Sequence, residues 1–207
     1  MVKSLGLHGS RLVQEAARIV CEDGLADYRL AKQKAAERLG FGGGAAMPSN
    51  AEIQEAVIQY QRLFGGRAYA DRLTHMRRTA VQAMRMLEEF DPRLVGAVAS
   101  GATTDAHHVQ LHCFADKPEA IDWLLESRGL KYEVDERCYR YPDGQTRQIP
   151  VISFMAADVG VDVAVFSERN VRGAPLSPTD GQVVKRLDLA AAEQLAAEEP
   201  DVVAGQA

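Results

Sequence analysis

Residues 94–114 read LVGAVASGATTDAHHVQLHCF, and the pattern of this stretch decides which fold the chain can adopt. A short apolar run, residues 93–100, meets a glycine-bearing turn and predicts a first strand. In the second run the apolar residues Val109, Leu111 and Cys113 alternate with polar ones. Side chains at alternate positions point to opposite faces of a strand, so this run predicts a strand that is buried on one face.

The period of the apolar residues is helical before Pro92 and mostly alternating after it. Ser49 and Glu52 have the spacing of a capping box, and Ser10 is the expected N-cap of the first helix. Helices are predicted over residues 10–24, 26–40, 50–64, 67–90, 117–129 and 187–199, and strands over 93–100, 108–114, 130–141, 149–157 and 159–166. Two strands precede the fifth helix and three follow it, without strict strand–helix alternation, which predicts an α+β protein. The expected architecture is an N-terminal helical region followed by a mixed β-sheet with flanking helices.

Glycine-rich segments divide the chain. The segment FGGGAAMPSN, residues 41–50, predicts a flexible linker between helices, and the glycine pair at 65–66 predicts a helix break. We therefore expect a helical region over 1–66, an α+β domain over 67–190, and a C-terminal helix and tail over 191–207. Within the α+β domain, Cys113 and Trp123 are expected in the hydrophobic core.

Composition narrows the function classes. The net charge is −5, but residues 1–92 carry 13 Lys and Arg against 11 Asp and Glu, whereas residues 93–207 carry 11 against 18. The acidic second half argues against broad electrostatic binding of nucleic acid. No apolar run approaches the ~20 residues of a membrane helix, and no signal peptide precedes the first helix, so no membrane partner is expected. Three widely spaced cysteines indicate free thiols and, with these absences, a cytoplasmic protein.

The order of helix, glycine-ended strand, glycine-containing loop, second strand, helix and later acidic strand resembles the nucleotidyltransferase superfamily, the DNA polymerase beta-like fold. The resemblance covers about residues 70–166, and the whole chain also resembles a group of proteobacterial nucleotidyltransferase-like proteins. Carried over by position, Gly96 matches the family's glycine and Ala97 replaces its serine. His108 and Gln110 stand at the two positions of the family's Asp-x-Asp motif, and Asp162 matches its third carboxylate. The chain is thus similar to a degenerate member of the superfamily.

The replacements change the chemistry that the resemblance implies. Residues at i and i+2 of a strand share a face, ~6.6 Å apart, so two carboxylates there and a third on a neighbouring strand can hold two divalent ions. Magnesium prefers anionic oxygen, whereas His108 offers nitrogen and Gln110 a neutral carbonyl. If transfer is retained, the resemblance implies a nucleoside triphosphate with magnesium, Asp162 as the metal ligand, and His108 as a base or phosphate contact. His108 and His112 lie ~13 Å apart along a strand and are too distant to share a zinc ion.

A ligand cleft is expected between the loop of residues 96–106 and Asp162. The candidate ligand-binding residues are Gly96, Ala97, Ser100, Gly101, Asp105 and Gln110, with Asp105 reaching the site from the loop. One hypothesis is therefore a catalytically impaired nucleotidyltransferase-like protein that binds a nucleotide or another phosphate-bearing ligand.

The alternative is a non-catalytic regulatory module whose helical half binds a protein or RNA. Arg77, Arg78 and Arg85 would offer RNA or a triphosphate a basic patch, although a solvated helix face is the simpler interpretation. Whether the protein is an enzyme stays open at the level of sequence.

Overall fold

The change of period at Pro92 marks the point where a helical region gives way to a sheet. The computed structural model describes residues 7–41 and 47–202, with side chains from residue 11 onward in the first helix. Its helices are α1 (Leu7–Glu22), α2 (Tyr28–Arg38), α3 (Asn50–Phe64), α4 (Gly66–Met86), α5 (Gly96–Ser100), α6 (Glu119–Ser127) and α7 (Leu189–Ala197). Its strands are β1 (Arg93–Val95), β2 (Val109–Phe114), β3 (Tyr132–Arg140), β4 (Thr146–Ala156) and β5 (Val159–Phe166). The predicted α+β class is confirmed.

The five strands form one mixed sheet in the order β1-β2-β5-β4-β3. The β2–β5 pair is parallel, and the other neighbouring pairs are antiparallel. The turn at residues 141–145 joins β3 to β4, and a tight connection in which Ala157 has φ +56° joins β4 to β5. The parallel pairing positions the candidate site, because it brings β2 beside β5, the strand that carries Asp162.

The two faces of the sheet have different neighbours. The main core lies on one face, where Val109, Leu111 and Cys113 of β2 pack with buried residues of α4, α6 and α7. Cys113 is fully buried, as predicted. We call the other side, which carries the alternate residues of each strand, the open face. A second cluster, formed by buried residues of α1, α2 and α3 together with Ala102, is the core of the helical region.

The run predicted as one strand over 93–100 is a strand followed by a helix, so that prediction was wrong. The strand ends at Val95, and Gly96 takes φ +74°, a left-handed conformation that turns the chain and that side chains other than glycine avoid. Helix α5 begins at once and ends at Gly101, whose φ of +88° and backbone N–H bond to Ala97 O form its C-cap. The apolar residues of this run are compatible with either a strand or a helix. The positive φ angles of Gly96 and Gly101 set where the strand ends and where the helix ends.

Two smaller expectations also fail, and one is confirmed. Ser10 lies inside α1, which already includes Leu7, so Ser10 is not an N-cap. Trp123 is 67% exposed on α6, because the buried stripe of that helix runs through Ile121 and Leu125 instead. The capping box of Ser49 and Glu52 at the start of α3 is present as predicted. Most of the predicted linker, residues 42–46, lies outside the described residues.

Residues 171–187, which we call the strap, return from the end of β5 across one end of the open face. Leu176 N donates to Arg140 O on β3 at 2.7 Å, and Leu187 pairs with Leu94 on β1. The strap also contacts the helical region, because Asn50 Nδ2 donates to Pro178 O at 2.9 Å. One segment thus touches both edges of the sheet and the first turn of α3. Among the described helices none is long and apolar enough to cross a membrane.

Candidate functional site

The parallel pairing of β2 and β5 determines which predicted site residues meet. Gln110 lies directly opposite Asp162 in the register, and His108 stands one residue before β2 begins. Ser153 of β4 lies opposite Asp162 on its other side. Adjacent strands are ~4.8 Å apart, so these residues form a row across the open face.

Asp162 is the centre of this row, and both of its carboxylate oxygens have partners. Oδ1 lies 3.0 Å from His108 Nδ1 and 2.9 Å from Ser153 Oγ, while Arg137 Nη2 donates to Oδ2 at 2.7 Å. Because an ionised carboxylate only accepts hydrogen bonds, the His108 proton in this contact lies on Nδ1. Burial, the largest single influence, raises the pKa of Asp162, but the bonds from His108, Arg137 and Ser153 outweigh it and lower that pKa. Asp162 is therefore a buried anion neutralised from within the protein.

Glycines hold two site side chains in place. The imidazole of His108 lies over Gly160, where an added Cβ would stand 2.6 Å from ring atoms Cδ2 and Nε2. Gln110 lies over Gly96 in the same way, with its Oε1 only 2.1 Å from the position of a Cβ. The structure therefore places Gln110 beside Gly96, His108 beside Asp162, and Gln110 opposite Asp162 in the register.

Three of the other predicted loop residues have hydrogen-bond partners other than Asp162. Ser100 Oγ donates to Ala97 O at 3.2 Å within α5, and Gly101 O accepts from Tyr69 on α4 at 2.8 Å. Asp105 is largely exposed and accepts a 2.8 Å bond from Arg72. Asp105 thus pairs with Arg72 of α4, and no hydrogen bond links it to the cluster around Asp162.

The histidines near the site have separate environments. His112 is buried, and its Nδ1 accepts from Arg186 Nε at 3.0 Å. Burial, with the positive charge of Arg186, lowers the pKa of His112 to about 3, so this ring is neutral at physiological pH. His107 Nδ1 accepts from the Thr104 backbone N–H at 3.0 Å, and burial lowers the pKa of His107 as well.

These donors do not suit a pair of magnesium ions. Within residues 7–41 and 47–202 no group of three or more His, Cys, Asp or Glu side chains is arranged to hold a metal. Asp162 supplies the anionic oxygen of the row, and its two oxygens already accept from Arg137, His108 and Ser153. A divalent cation would have to displace a bound guanidinium, which is a poor exchange for a hard, strongly hydrated ion.

The three arginines of α4 do not form one patch. Arg77 is buried, and it donates to the backbone carbonyls of Val98 and Leu195. Arg85 pairs with Glu193 of α7 at 2.7 Å. Arg77 therefore links α4 to α5 and α7 through hydrogen bonds. The basic patch suggested by the sequence does not form, because Arg77 is buried whereas Arg85 lies at the surface.

Sequence reasoning missed Arg137 and Ser153, which complete the Asp162 cluster. Ser153 is the one hydroxyl in the apolar run VISFMA of residues 151–156, and that isolation was a usable signal. Arg137 lies within a strand of mixed charge, and its contact with a residue two strands away has no sequence signature.

Comparison of the chain with protein-family models, curated proteins and solved structures finds no match. The relationship to nucleotidyltransferases stays a prediction that rests on the residues named above.

Proposed function

We propose that the protein is nucleotidyltransferase-like, with an altered metal site, and binds a nucleotide or another phosphate-bearing ligand on the open face beside Asp162. The observation that carries this proposal is the arrangement around that carboxylate. Arg137 pairs with its charge, His108 contacts it at 3.0 Å, and the same row offers the amide of Gln110 and the hydroxyl of Ser153. A phosphate group approaching the row meets these hydrogen-bond donors, and the carboxylate of Asp162 is already paired with Arg137.

The same arrangement argues for binding without the two-metal transfer reaction. In that chemistry the carboxylates hold ions that stabilise charge on the triphosphate. Here Asp162 is committed to an ion pair, and the positions of the other two carboxylates hold His108 and Gln110. Arg137, partly exposed at the edge strand, is the group placed to exchange the carboxylate for a phosphate.

Thermal melting with ATP, CTP, GTP and UTP, each with and without magnesium or manganese, tests the proposal. We expect at least one nucleotide to raise the melting temperature without metal, because ligands that bind the folded state stabilise it. Arg137→Gln should remove most of that shift. Arg140→Gln is the matched control, because Arg140 lies on the same strand and its side chain points to the other face.

Two outcomes would contradict the proposal. A shift that requires metal and disappears in Asp162→Ala would indicate a metal-dependent nucleotidyltransferase. The absence of a shift with all four nucleotides would leave the second candidate as the better account.

The second candidate is a regulatory module whose helical half binds a protein partner. Leu63 and Phe64, at the end of α3, are 57% and 70% exposed. They adjoin a groove of about 250 Å³ whose lining includes Cys21, Tyr60, Phe64, Tyr69 and Arg72. Phe64→Asp should abolish capture of the partner by the purified chain, whereas Val134→Asp, at an exposed residue of β3, should not. Capture that is lost after ribonuclease treatment would indicate RNA instead.

A further inference from the structure

Strand β3 is an edge strand that the rest of the molecule leaves uncovered. Residues 133–138 are all exposed, so neither face of the strand is covered along that length. In the sheet order β1-β2-β5-β4-β3, the strand pairs with β4 on one side and with no described strand on the other. A long unpaired edge is a template for another strand, and native proteins usually cover or interrupt such edges.

The hairpin of β3 and β4 shows which backbone groups face outward. Tyr141 N donates to Gln145 O at 2.9 Å, and hydrogen-bonded pairs alternate along an antiparallel ladder. The odd-numbered residues of β3 therefore bond to β4, and the even-numbered ones direct their N–H and C=O groups outward. The strap agrees with this pattern, because Leu176 N donates to Arg140 O at 2.7 Å. Among the described residues no other backbone group bonds to this edge, which is open over residues 132–138.

The charges of β3 are arranged so that the strand complements itself. Its first half carries Glu133, Asp135 and Glu136, and its second half carries Arg137 and Arg140. A two-fold axis perpendicular to the sheet makes two copies of an edge strand antiparallel. The acidic half of each copy then lies against the basic half of the other, and opposite charges in facing cross-strand pairs are favourable.

We propose that the outer edge of β3 pairs with β3 of a second copy of this chain, which joins the two five-stranded sheets into one. An axis at Glu136, the middle residue of the strand, uses its full length and opposes Asp135 of each copy to Arg137 of the other. An axis at Cys138 is excluded, because it would require Arg140 O, which already accepts from the strap. The two Glu136 side chains meet at the axis as a like-charge pair.

The second copy supplies what the middle of the edge lacks. In the single chain Glu136 N donates to Asp135 Oδ1 at 2.8 Å, a local substitute for a strand partner. In the dimer a backbone carbonyl takes this N–H, and the Asp135 carboxylate is released to pair with Arg137 of the second copy. Arg137 also donates to Asp162, so the second copy brings a carboxylate to the margin of the candidate site. The pairing itself does not depend on ligand binding at Asp162.

Sedimentation velocity of the full chain over a range of concentrations tests the proposal. Pairing along one strand edge gives a small interface, so we expect a reversible monomer–dimer equilibrium at micromolar concentration. Glu136→Gln removes the like-charge pair and should tighten the dimer. Glu136→Pro removes the same charge together with the outward N–H, and should weaken the dimer roughly ten-fold or more relative to Glu136→Gln. A wild type that is monomeric throughout, or equal association of the two variants, would overturn the proposal.

A second pair of variants avoids the change to the backbone. Asp135→Lys opposes a lysine to Arg137 of the second copy and should weaken the dimer. Glu37→Lys, at an exposed residue of α2, makes the same change of net charge and should associate as the wild type does. Equal weakening by both would show that overall charge, and not the β3 pair, controls association, and would contradict the proposal.

Oxidative cross-linking reads the register directly. The axis at Glu136 opposes Val134 of one copy to Cys138 of the other, with Cα atoms ~5.5 Å apart, a distance that a disulfide spans. Within one chain the two residues are ~13 Å apart along the strand and cannot be bridged. Mild oxidation of Val134→Cys should therefore give a covalent dimer, whereas Glu133→Cys, which points to the other face, should not. No covalent dimer from Val134→Cys, or equal amounts from both variants, would overturn this pairing.

Discussion

At the scale of single residues, small side chains decide where the reactive ones lie. Gly160 leaves the space that the His108 ring fills, and that ring in turn contacts Asp162 at 3.0 Å. Ala164, two residues beyond Asp162 on β5, is buried opposite His112 and leaves room for the aromatic side chains around it. The polar row and the aromatic cluster therefore depend on two small residues of one strand.

Gly160→Ala should displace His108 from Asp162. The new Cβ would overlap the imidazole, and overpacking of this kind costs about 1–3 kcal/mol of unfolding free energy. Gly173→Ala is the matched control, because its Cβ would meet its nearest atom at an ordinary 3.7 Å. Urea denaturation measures both changes. Equal, small effects in the two variants would show that the His108 ring is not confined by Gly160.

The buried histidine of β2 predicts a specific dependence of stability on pH. The pKa of His112 is about 3 in the folded protein, against about 6.5 in an unfolded chain. Below about pH 6.5 the unfolded state therefore binds a proton that the folded state refuses, and stability falls by up to about 1.4 kcal/mol per pH unit until the pH nears 3.

His112→Gln removes this titration and keeps an acceptor for Arg186. We expect its stability, measured by urea unfolding between pH 7 and 4, to fall less steeply than that of the wild type. His107, whose pKa is also lowered, contributes equally to both proteins. Parallel curves would contradict the assignment.

At the scale of elements, the junction of β1 and α5 depends on one glycine in two ways. Gly96 has a positive φ, and its missing Cβ leaves room for Gln110. The backbone requirement turns the chain from strand to helix, and the packing requirement places the amide of Gln110 in the candidate site. The two requirements can be separated by experiment.

Gly96→Ala should destabilise the protein by more than backbone strain alone. An alanine in the left-handed region costs about 1–2 kcal/mol, and the overlap with Gln110 should add about 1–3 kcal/mol. Gly144→Ala is the matched control, because Gly144 has a similar φ of +79° and no atom within 4 Å of its Cβ. In a Gln110→Ala background the excess should disappear. Denaturant unfolding of the wild type, the three single variants and the Gly96→Ala/Gln110→Ala double variant measures each contribution. An excess that persists in the double variant would show that the overlap with Gln110 is not its cause.

Sequence pattern predicted most elements but few of their contacts. The helical period and the capping box located α3, and alternation located β2, because both signals are local. Trp123 was misplaced because its apolar character does not reveal whether another element covers that side of α6. His108, Gln110 and Asp162 could be selected as candidates from one strand pattern and a resemblance. Arg137 could not, because its contact with Asp162 depends on the order of strands in the sheet.

At the scale of the whole molecule, the helical region holds the loop that was predicted to bind ligand. Gln61 Nε2 of α3 donates to Thr103 O at 3.2 Å, and Ala102 is part of the helical core. Arg72 of α4 binds Asp105 on the same loop. The loop between α5 and β2 is thus held between the helices and the sheet, and its position responds to both.

Gln61→Ala should loosen this loop. Gln61 is 4% exposed, and removing its amide leaves a buried carbonyl unpaired, which costs about 1–3 kcal/mol. Hydrogen exchange at residues 101–105 should accelerate, while exchange in β4 and β5 stays slow. Gln59→Ala, on the exposed side of the same helix, is the control. Unchanged exchange in the loop would show that the helical region does not hold it.

The strap has a consequence for the time at which the protein can complete its structure during translation. Leu94 and Leu187 exchange two backbone hydrogen bonds, of 2.8 and 3.0 Å, across 93 positions of the chain. A ribosome adding about 5–20 residues per second needs roughly 5 to 20 s to cover that separation. Throughout this interval the outer edge of β1 is without its last partner, and Arg186 has not yet packed on the rings of Phe114 and Phe166. Until residue 187 has been made, the growing chain therefore carries an unpaired edge on β1 that is open to wrong pairing.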